Sequence, residues 1–380
     1  MKSADRMPLI DALKAIASQV VLLHHLAIYG PLAAALQLAL PSSSGLLADY
    51  GRLAVQIFLV TGGFLAARAL SGDGERFPAH PLTLIGRRYL RLALPFLVAI
   101  ALAIIASALA DRWLADDMIP ARATLSQWLA HALLLHGVLG HASLSAGVWY
   151  VAIDFQLFAL LALLLWLGRG RLLGLVLVVS LALAALFWFN RDARWDNWAL
   201  YFFGSYGLGA IAWWASSRGR LLAWLGAMLT VVTAALLVDF RLRIALALVI
   251  ALSLGLARRS GLLQRWPQSL ALAHLSQISY SVFLVHFPIL LLANAAFAHW
   301  LPEASTTTSL LTLAATWLVA NLAGQFFHRH VEAAGLDRRL LKAGQALAKP
   351  LGRPASSLLR AGRDGAQRLL LRPRRMYDPR

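Results

Sequence analysis

Apolar runs close to twenty residues long recur from one end of this chain to the other. A helix of about 20 residues spans the ~30 Å hydrocarbon core of a bilayer. Inside lipid, backbone N–H and C=O groups must be satisfied internally, so an apolar run of that length is a helix or nothing. Of the 380 residues, 60% are apolar and only 14% charged, whereas a soluble domain carries roughly 25% charge. The chain reads as an all-α polytopic membrane protein with about ten transmembrane helices. The spans fall roughly at 8–30, 50–70, 91–110, 147–167, 171–189, 197–215, 220–238, 243–257, 277–297 and 308–328.

Two stretches break the pattern. Residues 124–141, "TLSQWLAHALLLHGVLGH", are too short and too polar for a span and read as an interfacial or re-entrant helix. Residues 262–275 read as lying at the surface. The chain accordingly divides into a transmembrane domain, 1–335, and a basic tail, 336–380, which alternates leucine pairs with arginines and reads as an amphipathic or flexible segment on anionic lipid. No internal repeat is evident. The N-terminus has no small-residue cleavage site before its long apolar run, so no signal peptide is expected.

The net charge of +18 raises nucleic acid as a partner, but the cations sit at span ends and in the tail. That placement is the positive-inside pattern and excludes nucleic acid as the expected partner. One set of loops carries Lys2 and Arg6, Arg68, Arg76, Arg87 and Arg88, Arg169 and Arg171, Arg218 and Arg220, then Arg258, Arg259 and Arg265. The other set is mixed or acidic, with Asp49, Asp111, Asp116, Asp117, Asp192, Asp196, Asp239 and Glu303. Both termini are therefore expected on the cytoplasmic side. Without cysteine the chain has no thiolate ligand and no cysteine nucleophile.

The first span, "LIDALKAIASQVVLLHHLAIYG", carries an acid, a base and two imidazoles. At 100° per residue Asp11, Lys14, Ser18 and His25 fall within roughly 60° of one another, while His24 lies about 100° from His25. His25 stands about 16 Å beyond Lys14 along the axis. Ionisable groups at that depth usually face a bundle interior or a wet cavity, although a packing histidine bonded to its neighbours is the plainer alternative.

These residues bring a family into view. "LIDALKAIASQVVLLHH" resembles the opening motif of the acyltransferase type 3 family of membrane O-acyltransferases: Asp11 matches its acid, Lys14 stands where arginine is usual, and His25 matches its essential histidine. Four further segments follow in the family's order. "GRLAVQIFLVTGGFLAAR" resembles the second-span signature, with Gln56 and Gly62 as departures. "RRYLRLALPF" matches the Arg-x-x-Arg motif on Arg88 and Arg91. "VWYVAIDFQLF" resembles the Trp-Ser-Leu-x-x-Glu segment, with Asp154 in place of glutamate. "ISYSVFLVHFPIL" resembles the late motif on Ser279, Tyr280, His286 and Pro288. Together they cover about residues 5 to 333.

The resemblance implies an enzyme of a bacterial-type inner (cytoplasmic) membrane. It would move an acyl group, most often acetyl, from cytoplasmic acyl-CoA, with acetyl-CoA the usual donor, to a hydroxyl of an extracytoplasmic glycan or lipid-linked sugar. Lys14, Arg87, Arg88 and Arg91 would counter the donor's phosphates, with Asp11 organising that end. Arginine forks suit phosphate, and lysine acts as a point charge. For Arg87, ordinary positive-inside anchoring is the stronger reading. His25 would act as general base or accept the acyl group itself. Asp154, at a compatible depth, is the expected carboxylate partner of His25. His286 and Ser279 would line the acyl path or orient His25, or simply pack helices; Trp149, Tyr150 and Tyr280 would meet the substrate. Gly62 and Gly63 would allow close helix approach or a break. His131, His136 and His141 have no acidic company and read as interfacial rather than as metal ligands, and no metal is expected. A transporter or flippase of a lipid-linked sugar or small metabolite is the competing reading, and it predicts inverted repeats that the sequence does not display.

Overall fold

The computed structural model describes residues 6–72, 80–168, 171–217, 219 and 221–335. The chain divides into two units, Met1–Ala334 and Gly335–Arg380. Beyond Gly335 the second unit, and with it the amphipathic tail expected at 336–380, lies outside the described residues.

Among the described residues the secondary structure is helical, with no strand. The helices are α1 (Pro8–Ile28), α2 (Gly30–Ala39), α3 (Pro41–Tyr50), α4 (Val55–Ser71), α5 (Pro81–Ala110), α6 (Leu125–Ala132), α7 (Trp149–Leu167), α8 (Arg171–Phe187), α9 (Ala199–Ser216), α10 (Leu221–Val238), α11 (Leu242–Ser260), α12 (Leu262–Arg265), α13 (Leu270–Trp300) and α14 (Thr306–Phe327). Proline opens α1, α3 and α5, where its missing N–H is one of the unpaired groups in any case. Ser269 and Ser305 cap α13 and α14 through their hydroxyls. Gly261, at φ 77°, ends α11.

Among the described residues eight helical segments are long and apolar enough to cross a membrane. The two other helices at the expected ten positions are α9 and α11. Helix α9 is rich in Gly, Tyr and Trp, and sixteen of its eighteen residues are buried, so it presents little surface to lipid. Helix α11 carries Arg243, Arg258 and Arg259 at its ends. Helices α5 and α13 start at Pro81 and Leu270, well before the expected 91 and 277, because their amphipathic ends continue the helix beyond the apolar window.

Side-chain contacts fix the directions. Arg68 reaches Met7, and Gly51 packs on His24, so α1 and α4 are antiparallel. Gln56 accepts from Ser205, and Ser71 accepts from Trp214, so α4 and α9 are parallel. Helix α13 runs parallel to α1, with Ser276 at Asp11 and His286 at His25. The bundle thus has a near end, where α1 starts, and a far end, where it finishes.

Helices α4 and α9 interlock through glycine. A Cβ on Gly63 would lie 1.9 Å from the Tyr206 carbonyl oxygen, and one on Gly209 would lie 2.0 Å from that of Val60. Small residues let backbones approach closely, as is common between membrane helices. Gly63 is therefore a close-approach glycine, and helix α4 is unbroken through Gly62 and Gly63.

The segment after α5 folds inward. Thr124 and Gln127 form a capping box that starts α6. The Ala132 carbonyl accepts from the Tyr89 hydroxyl at 2.6 Å, and the His131 ring stacks on Phe96, both on α5. The chain then turns back to start α7, with Gln156 donating to the Leu134 carbonyl. This places His131 and His136 at 0% and 1% exposure rather than at an interface, as the sequence suggested.

Replacing Gly63 or Gly209 by alanine should destabilise the bundle by about 1–3 kcal/mol, because the facing carbonyl cannot retreat. Thermal unfolding of purified protein in detergent should show lower transition temperatures for both variants, and an unchanged transition would contradict the interlock.

Candidate active site

Parallel packing of α1 on α13 brings His25 and His286 together. Both are buried, at 8% and 1% exposure. Their rings stack at 4.9 Å between centroids, and His25 Nδ1 lies 2.6 Å from His286 Nε2. The protons on this contact follow from the neighbours. His286 Nδ1 faces the carbonyl oxygens of Phe283 at 2.8 Å and Val282 at 3.1 Å, which only accept, so it carries hydrogen. In the neutral ring Nε2 is then the acceptor, and His25 Nδ1–H donates to it. The lone pair of His25 is left on Nε2, which has no hydrogen-bond partner among the described residues. Pro288, inside α13 two residues beyond His286, removes one backbone bond of that helix.

The backbone before α7 closes over the same ring. A Cβ on Gly147 would come 3.4 Å from His25 Cε1 and 3.2 Å from Phe283, and Gly147 takes φ 79°, which favours glycine. Tyr29 and His24 flank His25 at 5.5 and 5.4 Å between ring centroids. His24, off the polar stripe, bonds the Leu47 carbonyl instead.

The expected pairing of His25 with Asp154 does not form. Asp154 accepts from Arg88 at 2.5 Å, and the Arg88 guanidinium lies over the Phe158 ring. Shared depth and the motif positions suggested the histidine; the α7 face carrying Asp154 instead meets α5 and Gly62 of α4. Arg88 is thereby neutralised rather than free for phosphate. Its Nε and the Tyr206 hydroxyl are buried without a partner among the described residues.

The near end is charged. Asp11 receives Arg6 at 2.8 Å and the Ser276 hydroxyl at 3.1 Å. Lys14 sits within electrostatic range of Asp11, Glu332, Arg91 and Arg88. Arg87 and Arg91 are exposed. Ser279 spends its hydroxyl on the Ser276 carbonyl within its own helix, and Tyr280 donates to the Leu92 carbonyl of α5. Tyr280 thereby braces α13 on α5, while the Ser279 hydroxyl hydrogen is spent within α13. Tyr150 is wedged between Phe58 and Phe283 at 5.9 and 5.8 Å, and Trp149 packs at a tilt against Phe202. Arg88 thus pairs with Asp154 on α7, and one turn earlier on that helix Tyr150 packs on Phe283, which lies against His286 and through it His25.

This arrangement joins a near-end cation cluster to an oriented imidazole base. The model of a family described as acyltransferase domain matches residues 8–321. The chain belongs to this acyltransferase family. It is thus a membrane acyltransferase, an enzyme that takes an acyl donor and an acceptor and is not an aminoacyl transferase. No curated protein matches it, and no solved structure does.

Three features of this acyltransferase escaped the sequence reading. Glu332 ends the last span in a π-turn and accepts from the Ser281 hydroxyl at 2.6 Å and from His328 at 3.0 Å. An acid among the basic residues after a terminal span was its only signal. Gly147 and Tyr206 left no pattern by which to find them, since their roles depend on which helices meet.

Removing one partner of the Arg88–Asp154 pair should cost on the order of 3 kcal/mol by stranding the other charge. Arg88→Met and Asp154→Leu should each lower the thermal transition, and the double variant should recover much of the loss. Additive losses in such a cycle would contradict a mutual pair.

Proposed function

We propose that this acyltransferase carries an acyl group, acetyl in the simplest case, from cytoplasmic acyl-CoA to a hydroxyl of an extracytoplasmic glycan or lipid-linked sugar, in a bacterial-type inner membrane. The observation that carries the proposal is the hydrogen bond from His25 to His286, which leaves His25 Nε2 as a held, unprotonated base. The near end is then cytoplasmic and the far end extracytoplasmic, as the loop charges suggest.

The chemistry balances on these groups. His25 Nε2 takes the proton of the sugar hydroxyl as its oxygen adds to the thioester carbonyl carbon. The tetrahedral adduct collapses, the C–S bond breaks, and the departing thiolate takes that proton back from the imidazolium. An ester and a free thiol result. Lys14, Arg87 and Arg91 supply counter-charge for the donor's phosphates. Arg88 Nε and the Tyr206 hydroxyl, both unspent donors, suit the amide carbonyls of the pantetheine arm.

Inside-out vesicles given labelled acetyl-CoA test this. His25→Ala should lose on the order of 10²- to 10⁴-fold in thiol release and in label transferred to glycan. His286→Phe should lower kcat about 10- to 100-fold with KM for acetyl-CoA little changed, and His286→Gln, which restores an acceptor for Nδ1–H, should recover part of it. Equal turnover in wild type and His25→Ala would overturn the assignment.

A further inference from the structure

A cavity of about 520 Å³ opens at the far end of the bundle, beside the His25 site but separate from it. Its walls come from the start of α4, the start of α7, the loop after α6, the approach to α9 and the start of α11. The volume falls in the range of small-molecule sites, about 300–1,000 Å³. Trp149, one of its walls, stands just after Gly147, whose backbone packs on His25. The start of α7 thus stands between the cavity and the His25 ring.

The lining carries an unspent imidazole. His136 is 1% exposed, and neither ring nitrogen has a partner among the described residues. It stacks on His131 at 4.0 Å and 5°. The nitrogens of His131 are themselves engaged, Nδ1 with the Gln127 carbonyl and Nε2 with the Leu144 N–H. His131 thus fixes the His136 ring as a platform without satisfying it. Leaving buried polar atoms unmade costs about 1–3 kcal/mol each, so such groups usually have a partner in the working state. A neutral imidazole offers one N–H and one lone pair, the complement of a sugar hydroxyl.

The lining also carries a charge bias. Arg52 is exposed, with no ion pair among the described residues, and Arg243 reaches in from α11 across the Tyr201 ring at 4.8 Å. Arg243 is anchored by donating to the Asn190 carbonyl at 2.8 Å. Asp196 is the acid in the lining. Two guanidinium groups against one carboxylate leave a net positive cavity, and guanidinium favours planar or tetrahedral oxyanions. Trp149 and Phe202, packed at 5.5 Å, add the apolar face on which a pyranose ring can lie.

We infer that this cavity is the acceptor site and that it selects an anionic sugar, with His136 and Trp149 holding the ring and Arg52 and Arg243 reading its acidic group. The inference rests on the acyl-transfer reading for its purpose, but its test does not use acyl transfer. Full-length protein in nanodiscs is titrated with methyl glucuronoside, glucose 6-phosphate and methyl glucoside, and binding is read by calorimetry or by ligand-observed NMR. At least one of the two anionic sugars should bind 10-fold or more tighter than the neutral glucoside, and the tighter of them names the acid. Arg52→Gln should reduce that preference several-fold, and Arg52→Lys should keep part of it. His136→Phe should weaken all three sugars together. Binding with no charge preference, a preference untouched by Arg52→Gln, or no binding of any of the three would overturn the inference. Loss of acyl transfer with this binding pattern intact would count against the enzymatic reading and not against the site.

Discussion

The contact between His25 and His286 governs the site because it removes the freedom of both rings at once. An isolated imidazole has two neutral tautomers and presents either nitrogen as the base. Here the carbonyls of Val282 and Phe283 decide the tautomer of His286, and His286 in turn decides that of His25. The base is thus specified by main chain two side chains away. That chain of decisions holds only while α1 and α13 keep their parallel register, which the Ser276–Asp11 bond pins at the other end of the same interface.

The remaining helices serve that register. Helix α5 lies against α13 and holds it through Tyr280 and Leu92, and the Arg88–Asp154 pair ties α5 to α7. The turn before helix α7 presents Gly147 to the His25 ring, and the inward fold of residues 124–148 leads the chain into that turn. The glycine contact of α4 and α9 forms a second interlock, away from the imidazole pair, and Gly62 beside it faces Asp154. The site is therefore assembled from six helices, α1, α4, α5, α7, α9 and α13, and few of its contacts are local in sequence.

This explains which parts were legible in the chain. The helical class follows from the apolar runs, since lipid admits no other backbone, and the stripe of Asp11, Lys14 and His25 follows from helical geometry. His286 was among the residues read as able to orient His25, but the choice of His286 over Asp154 as its partner did not follow. Depth along a helix axis can be counted, but the azimuth and the neighbour cannot, so counting favoured Asp154 where packing brings His286. The pairing of Arg88 with Asp154 was hidden for the same reason: a motif marks a residue but not the direction it turns. Helix α9 passed as an ordinary span although it is buried nearly all round, because Gly, Tyr and Trp conceal burial in a hydropathy profile. His131 and His136 read as interfacial because a short polar helix gives no sign of which elements will cover it.

The most direct test of this account is the protonation pattern of His25 itself. Nitrogen-15 NMR of histidine-labelled protein in lipid, with the His25 signals assigned by difference from His25→Gln, reports each ring nitrogen at neutral pH. The account predicts a protonated Nδ1 and an unprotonated Nε2. A proton on Nε2, with or without one on Nδ1, would contradict the orientation by His286 on which the proposed base depends.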